Sequence, residues 1–194
     1  MNDTPPAAPR HAASETPDAT RVIPRVLSIA GTDPTGGAGI QADLKSIAAF
    51  GGYGMAAVTA LVAQNTLGVR EVHVPPTSFL DAQLRAVSDD VDIDAVKIGM
   101  LGSTDVIATV DRWLTATRPP IVVLDPVMVA TSGDRLLKAD AEDAVRALCR
   151  RADLVTPNLP ETATLIGEAT AETENAAVAQ GRRLLAIGAR ATAA

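Results

Sequence analysis

The chain has 194 residues, a length that suits one domain built around a single hydrophobic core. With 47% hydrophobic and 21% charged residues it has the composition of a globular protein and not that of a disordered or coiled-coil chain. A net charge of −6 and an aromatic content of 2% argue against nucleic acid as a partner, because phosphates would find no basic surface and bases few rings to stack on.

Residues 1–22 lack the apolar centre of a secretory signal and carry acids unsuited to a transit peptide, so they read as a disordered tail preceding a domain over residues 23–194. No apolar run reaches the roughly 18 residues that a membrane span needs. The single cysteine, Cys149, can form no internal disulfide, which fits a reducing cytoplasm. From Val26 onward, short β-branched runs alternate with longer amphipathic ones, the pattern of a parallel sheet covered by helices on both faces. Strands are predicted at Val26–Ala30, Met55–Val62, Ala95–Ile98, Ile121–Asp125 and Leu154–Thr156. Helices are predicted at Gly39–Phe50, Ser78–Ser88, Thr104–Ala116, Ala139–Cys149, Pro160–Ile166 and Glu172–Ile187. Thr77 or Ser78 is the expected cap of the second helix and Ser103 of the third, while Asn158 stands just ahead of a proline suited to a first helical turn. A further strand is expected after the last helix, yet only ATAA follows Arg190, so the domain is expected to be incomplete.

Chemistry-bearing residues gather where strands end. The segment Gly31–Gly39 (GTDPTGGAG) joins a buried strand to a helix, where glycines let backbone approach a ligand and the helix start offers free amides. It is not a P-loop, since Gly37 stands where lysine is needed. Gly37-x-Gly39-x-x-Ala42 permits a dinucleotide reading, which requires an acid closing the next strand; that strand runs into Ala63–Gln64–Asn65 instead, and a plain structural turn stays open. Asp43, one turn into the helix, either complements the helix dipole or faces the same ligand. Gln64 offers a donor and an acceptor side by side, suited to an aminopyrimidine edge, or is a satisfied loop amide. Lys97–Leu101 closes the third predicted strand, with Gly99 allowing a turn and Met100 an adaptable apolar wall. Asp125 ends the fourth strand, placed for solvent, for Mg²⁺ or for a proton. Asn158 and Glu161 add an amide and a carboxylate after the fifth. Neither His11, in the tail, nor His73, in a loop, has the neighbours of a catalytic triad. Cys149 has Arg146, Arg150 and Arg151 nearby but reads best as a packed structural thiol.

Taken together, AGTDPTGGAGIQADLKSIAAFGGYG, TALVAQNT, VKIGML, VVLDPVMVATSGD and TPNLPE closely resemble the hydroxymethylpyrimidine and phosphomethylpyrimidine kinases of thiamine biosynthesis, members of the ribokinase-like superfamily with pyridoxal kinases as cousins. The resemblance covers Val26 to about Ile187 and implies a three-layer α/β/α fold with a mostly parallel central sheet. It implies ATP-dependent phosphorylation of 4-amino-5-hydroxymethyl-2-methylpyrimidine and then of its monophosphate, with ATP and Mg²⁺ as cofactors. By the same resemblance the pyrimidine sits against Gly31 and Asp43, Gln64 reads its ring nitrogen and amino group, and Met100 and Val127 supply apolar walls. Asp125 and Asn158 lie on the ATP-phosphate side, with Asp125 and Glu161 toward the metal. The family's C-terminal G-[ST]-G-C-T segment, which holds the transferring phosphate and serves the reacting oxygen, has no counterpart in the sequence, and Cys149 is no substitute; no catalytic residue is therefore assigned. A non-catalytic relative that keeps a pyrimidine-binding edge and a pyridoxal-type kinase stand as alternatives. The resemblance leaves room for a homo-oligomer.

Overall fold

The computed structural model describes residues 23–128, 137, 141–188 and 190–192. The predicted tail, the opening residues of the helix predicted from Ala139, and the stretch ATSGD lie outside the described residues. Five apolar runs form one parallel sheet: β1 (Arg25–Ala30), β2 (Tyr53–Val58), β5 (Ala95–Ile98), β6 (Val122–Leu124) and β7 (Leu154–Val155), in the order β2-β1-β5-β6-β7. Leu27 pairs with Val96 and Val96 with Val122, while Ile29 pairs with Ile98, Ile98 with Leu124 and Leu124 with Val155. Because side chains alternate along a strand, this register lines all of these residues on one face, and they are buried there. The same register puts Ser28 beside Lys97 on the opposite face.

From β1 the chain steps one way through α1 (Gly39–Ala49) to β2, then back past β1 through α2 (Thr77–Ser88) to β5. Right-handed crossovers running in opposite directions put α1 on one face and α2 on the other. The helix α3 (Thr104–Thr117) packs on α2, α4 (Glu142–Leu148) on α3, and α5 (Leu159–Ile166) on both α4 and α6 (Glu174–Ala186). The core lies between this helical layer and the sheet, with Leu84, Val110, Trp113 and Leu148 meeting the strand residues just named. The expected three-layer architecture is what the described residues form. None of their helices is long and apolar enough to cross a membrane.

Several expectations need correction. The strand predicted at Met55–Val62 is two elements. β2 stops at Val58, where the Gln83 side chain takes both backbone groups (Val58 N to Oε1 2.9 Å, Nε2 to Val58 O 3.1 Å). Thr59 then donates its hydroxyl to the Met100 carbonyl at 2.6 Å and its amide to Ala30 at 3.0 Å, which turns the chain off the sheet. Beyond this turn the chain forms an antiparallel hairpin, β3 (Leu61–Asn65) with β4 (Gly68–His73), so His73 closes a strand and not a loop. The hairpin escapes the sequence pattern because GVREVH is polar, exposed and without a buried face. Pro76, not Thr77 or Ser78, occupies the cap position of α2, and its carbonyl accepts the amides of Phe79 and Leu80. Ser103 sits at the cap of α3 without bonding through its side chain. Cys149 begins a 3₁₀ turn over Cys149–Arg151 that ends α4 early. After the last helix, where a further strand is expected, the described residues form only an isolated parallel bridge of Thr192 with Val155, and the Val155 amide donates to the Ala191 carbonyl at 3.0 Å.

Candidate functional site

A sheet whose order reverses between neighbouring strands leaves a crevice at their carboxyl ends. Here the reversal falls between β1 and β5, and a cavity of 210 Å³ opens there, walled by the ends of β1, β5 and β6, the start of α1 and the hairpin strand β3. Gly31, Asp43, Gln64, Met100 and Val127 all line it, together with Asp125. Five positions predicted from segments up to 96 residues apart therefore share one wall. Gln64 arrives on the hairpin rather than on the end of a sheet strand as expected, and the Val62 amide, donating to Thr32 Oγ1 at 2.9 Å, hooks that hairpin to the glycine-rich segment. A larger cavity of 700 Å³ lies between the C-terminal ends of α2 and α3, at the amino edge of the sheet, where Arg85 is already paired with Asp81.

The glycine-rich segment owes its shape to Asp33, which the sequence reading did not single out. Its carboxylate accepts the Thr35 amide (2.9 Å) and hydroxyl (2.8 Å) and the amides of Gly37 (3.0 Å) and Ala38 (2.8 Å). Burial pushes this carboxyl up, but the hydrogen bonds from Thr35, Gln64 and Ala38 outweigh it and bring its pKa down to about 2. At the far end Gly39 has φ +55°, and a Cβ there would run into the Gly31 carbonyl oxygen, which instead accepts the Ile40 amide at 3.0 Å. A Cβ on Gly31 would press Met100 Sδ at 3.2 Å. Backbone thus forms the floor of the cavity where side chains would fill it.

On the α1 face of the sheet the charges converge. Asp43 accepts the Ser28 hydroxyl at 2.6 Å and pairs with Lys97 at 3.1 Å; Lys97 also lies 3.6 Å from Asp125. Burial raises the Asp125 pKa, the nearby Lys97 charge opposes this, and Asp43 adds to it. Lys97 is a lining residue that the sequence reading passed over. Its signal was a lone lysine inside the buried strand AVKI, where an unpaired charge is costly and a partner is required.

Asn158 and Glu161 lie beside this cavity and do not line it. They make the reciprocal cap of α5: Glu161 donates its amide to Asn158 Oδ1 at 2.9 Å, and the Asn158 amide donates to Glu161 Oε2 at 3.0 Å. Glu161 Oε1 accepts the Met128 amide at 3.3 Å, which ties the α5 start to the segment after β6. The Glu161 pKa is raised, first by burial and then by Asp125, against its backbone hydrogen bonds. Cys149 is fully buried and its thiol is pushed up to about 11 by that burial, despite Arg146 and Arg150, so it behaves as a packed side chain.

The profile of the phosphomethylpyrimidine kinase family matches residues 33–192. The chain belongs to the phosphomethylpyrimidine kinase family. Among relatives, the thiamine biosynthesis multifunctional protein ThiED of Corynebacterium glutamicum is 62% identical over 159 residues, 82% of this chain and 21% of that protein. The hydroxymethylpyrimidine/phosphomethylpyrimidine kinase of Salmonella typhimurium is 52% identical over 166 residues, 85% of this chain and 62% of that one. The crystal structure of phosphomethylpyrimidine kinase from Clostridium difficile superposes with a TM-score of 0.79 at 39% identity, over 86% of this chain and 72% of that one. Pyridoxal kinase from Staphylococcus aureus in complex with AMP-PCP gives 0.78 at 32% identity, over 87% and 62%. This phosphomethylpyrimidine kinase family chain thus spans about a fifth of the ThiED protein and less than two thirds of the Salmonella enzyme.

Proposed function

We propose that the chain forms the substrate side of a kinase that transfers the γ-phosphoryl group of ATP to 4-amino-5-hydroxymethyl-2-methylpyrimidine and then to its monophosphate. The observation that carries this reading is the convergence of Gly31, Asp43, Gln64, Met100 and Val127 on one cavity of 210 Å³. That volume suits a single substituted ring and is below the range of sites for larger ligands. Met100 and Val127 pack on the faces of the ring, while the Gln64 amide meets a ring nitrogen and the exocyclic amine, donor to acceptor and acceptor to donor. In each transfer a P–O bond forms at the substrate oxygen as the bridging P–O bond to ADP breaks. Such chemistry depends chiefly on positioning and charge stabilisation.

The residues beside the cavity fit a Mg²⁺ ion of the kind that takes one or two carboxylates and draws its other ligands from phosphates and water. Asp125 would hold it with a carboxylate open to the cavity, and Glu161 would add charge from behind, its oxygens already oriented by Asn158 and Met128. The ion would supply charge neutralisation at the transferring phosphoryl.

Identities of 62% to a protein named for thiamine biosynthesis and 52% to one named hydroxymethylpyrimidine/phosphomethylpyrimidine kinase, against 32% to a pyridoxal kinase, favour the pyrimidine over pyridoxal. The test is calorimetric titration of the chain with the hydroxymethylpyrimidine and with pyridoxal. Tight binding of the former, weakened by roughly 1–3 kcal/mol in Gln64→Leu through loss of a buried hydrogen-bonding partner, is the expected outcome. Equal affinity of the wild type and Gln64→Leu would refute the assignment.

A further inference from the structure

The two steps of the proposed reaction make different demands on one cavity. The first substrate is neutral at its reacting arm; the second carries a phosphate there. Among the described residues lining the cavity, Lys97 is the one cationic side chain, and it stands between two acids, 3.1 Å from Asp43 and 3.6 Å from Asp125. Without it that wall would present two carboxylates and no cation, an environment that tolerates an alcohol and repels a phosphate.

We infer that Lys97 is the specificity-determining residue that admits the phosphorylated substrate, an inference that rests on the proposed function. An ammonium group has three donors, and the hydrogen bond in place goes to Asp43 alone; the Asp125 oxygen at 3.6 Å is an ionic neighbour only. One-quarter exposure of the side chain keeps the remaining donors accessible from the cavity. Asp43 is secured independently by the Ser28 hydroxyl at 2.6 Å, so Lys97 can turn toward a phosphate without leaving that acid unbonded. The space is also reserved for it: a Cβ at position 99 would lie 3.0 Å from Lys97 Nζ and 3.0 Å from Ala30 Cβ, so Gly99 keeps open the volume in which the ammonium moves.

The experiment is calorimetric titration of the chain with the hydroxymethylpyrimidine and, separately, with its monophosphate, both without ATP. The variants are Lys97→Met, Lys97→Arg and Gly99→Ala, with thermal unfolding as the folding control. Lys97→Met is expected to lose roughly tenfold or more in affinity for the monophosphate relative to any change for the alcohol, the scale of a charge-assisted hydrogen bond, with Lys97→Arg restoring part of that selectivity. Gly99→Ala, which displaces the ammonium and leaves its charge, is expected to shift selectivity in the same direction. In the wild type, added salt is expected to weaken the monophosphate and spare the alcohol. A similar loss for both ligands in Lys97→Met, or no selectivity change in either variant, overturns the inference. If Lys97→Met does not fold, Gly99→Ala and the wild-type salt dependence decide it. A wild type that binds the alcohol but not the monophosphate overturns this inference alone, whereas one that binds neither overturns the proposed function as well.

Discussion

Replacing Asp33 by asparagine tests how the glycine-rich segment is held. Asp33 is 3% exposed, and its carboxylate accepts hydrogen bonds from three backbone amides and from the Thr35 hydroxyl. An amide oxygen serves only one side of that ring of donors, and the new NH₂ faces N–H groups on the other. A fall of the acid's pKa from 3.8 to about 2 on folding is worth about 2 kcal/mol of stability. Because the folded value is the depressed one, this contribution is complete above the ordinary carboxylate pKa and disappears as pH falls through about 2. Asp33→Asn is therefore expected to unfold about 4–8 °C lower at pH 7, given about 2–4 °C per kcal/mol for a chain of this size. The difference from wild type should shrink steadily between pH 4 and pH 2. Thermal unfolding followed by circular dichroism across that range is the assay. A variant as stable as the wild type at pH 7, or a deficit independent of pH, would refute the account of Asp33 as the ionised organiser of the segment.

Gly39→Ala places a Cβ against the Gly31 carbonyl at a left-handed φ, so it is expected to cost at least about 1 kcal/mol in denaturant unfolding and to weaken pyrimidine binding by moving the cavity floor. Asp125→Asn should weaken Mg-ATP binding while leaving pyrimidine affinity near wild type in parallel titrations, because the proposed function gives Asp125 to the metal and the phosphates; equal losses would point to a folding role. Asn158→Ala removes the cap of α5 and is expected to cost about 1 kcal/mol in urea unfolding.

The parallel sheet was legible because each strand is a short apolar run between helical periods, and β5 occupies the very residues expected from AVKI. The helix at Leu159–Ile166 was legible from chemistry as much as from pattern, since Asn158 and a proline mark its start. Two features of the fold escaped because they had no local signal. Gly68–His73 buries nothing, so no period-2 apolar pattern marks it as a strand. The break after Val58 depends on Gln83, 25 residues away, and on the Met100 carbonyl, neither visible in MAAVTALVAQN. Within the site, Gly31 and Asp43 could be read because they flank a glycine-rich turn. Lys97 carried the signal of a lone lysine in an apolar strand, which calls for a partner without naming it; its two acids are 54 and 28 residues distant, and only the sheet register brings them to it.

That register has a further consequence, for folding fidelity. Slipping β5 by one residue against β1 would turn its side chains over and drive Lys97 into the layer held by Leu27, Ile29 and Leu124, while lifting Val96 and Ile98 out of it. A lysine stranded there would have no carboxylate within reach, a penalty large enough to make the slipped sheet uncompetitive. The ammonium that lines the cavity thus also acts as an alignment mark for the central strands, so that a chain folded out of register would lack both its core and its binding wall.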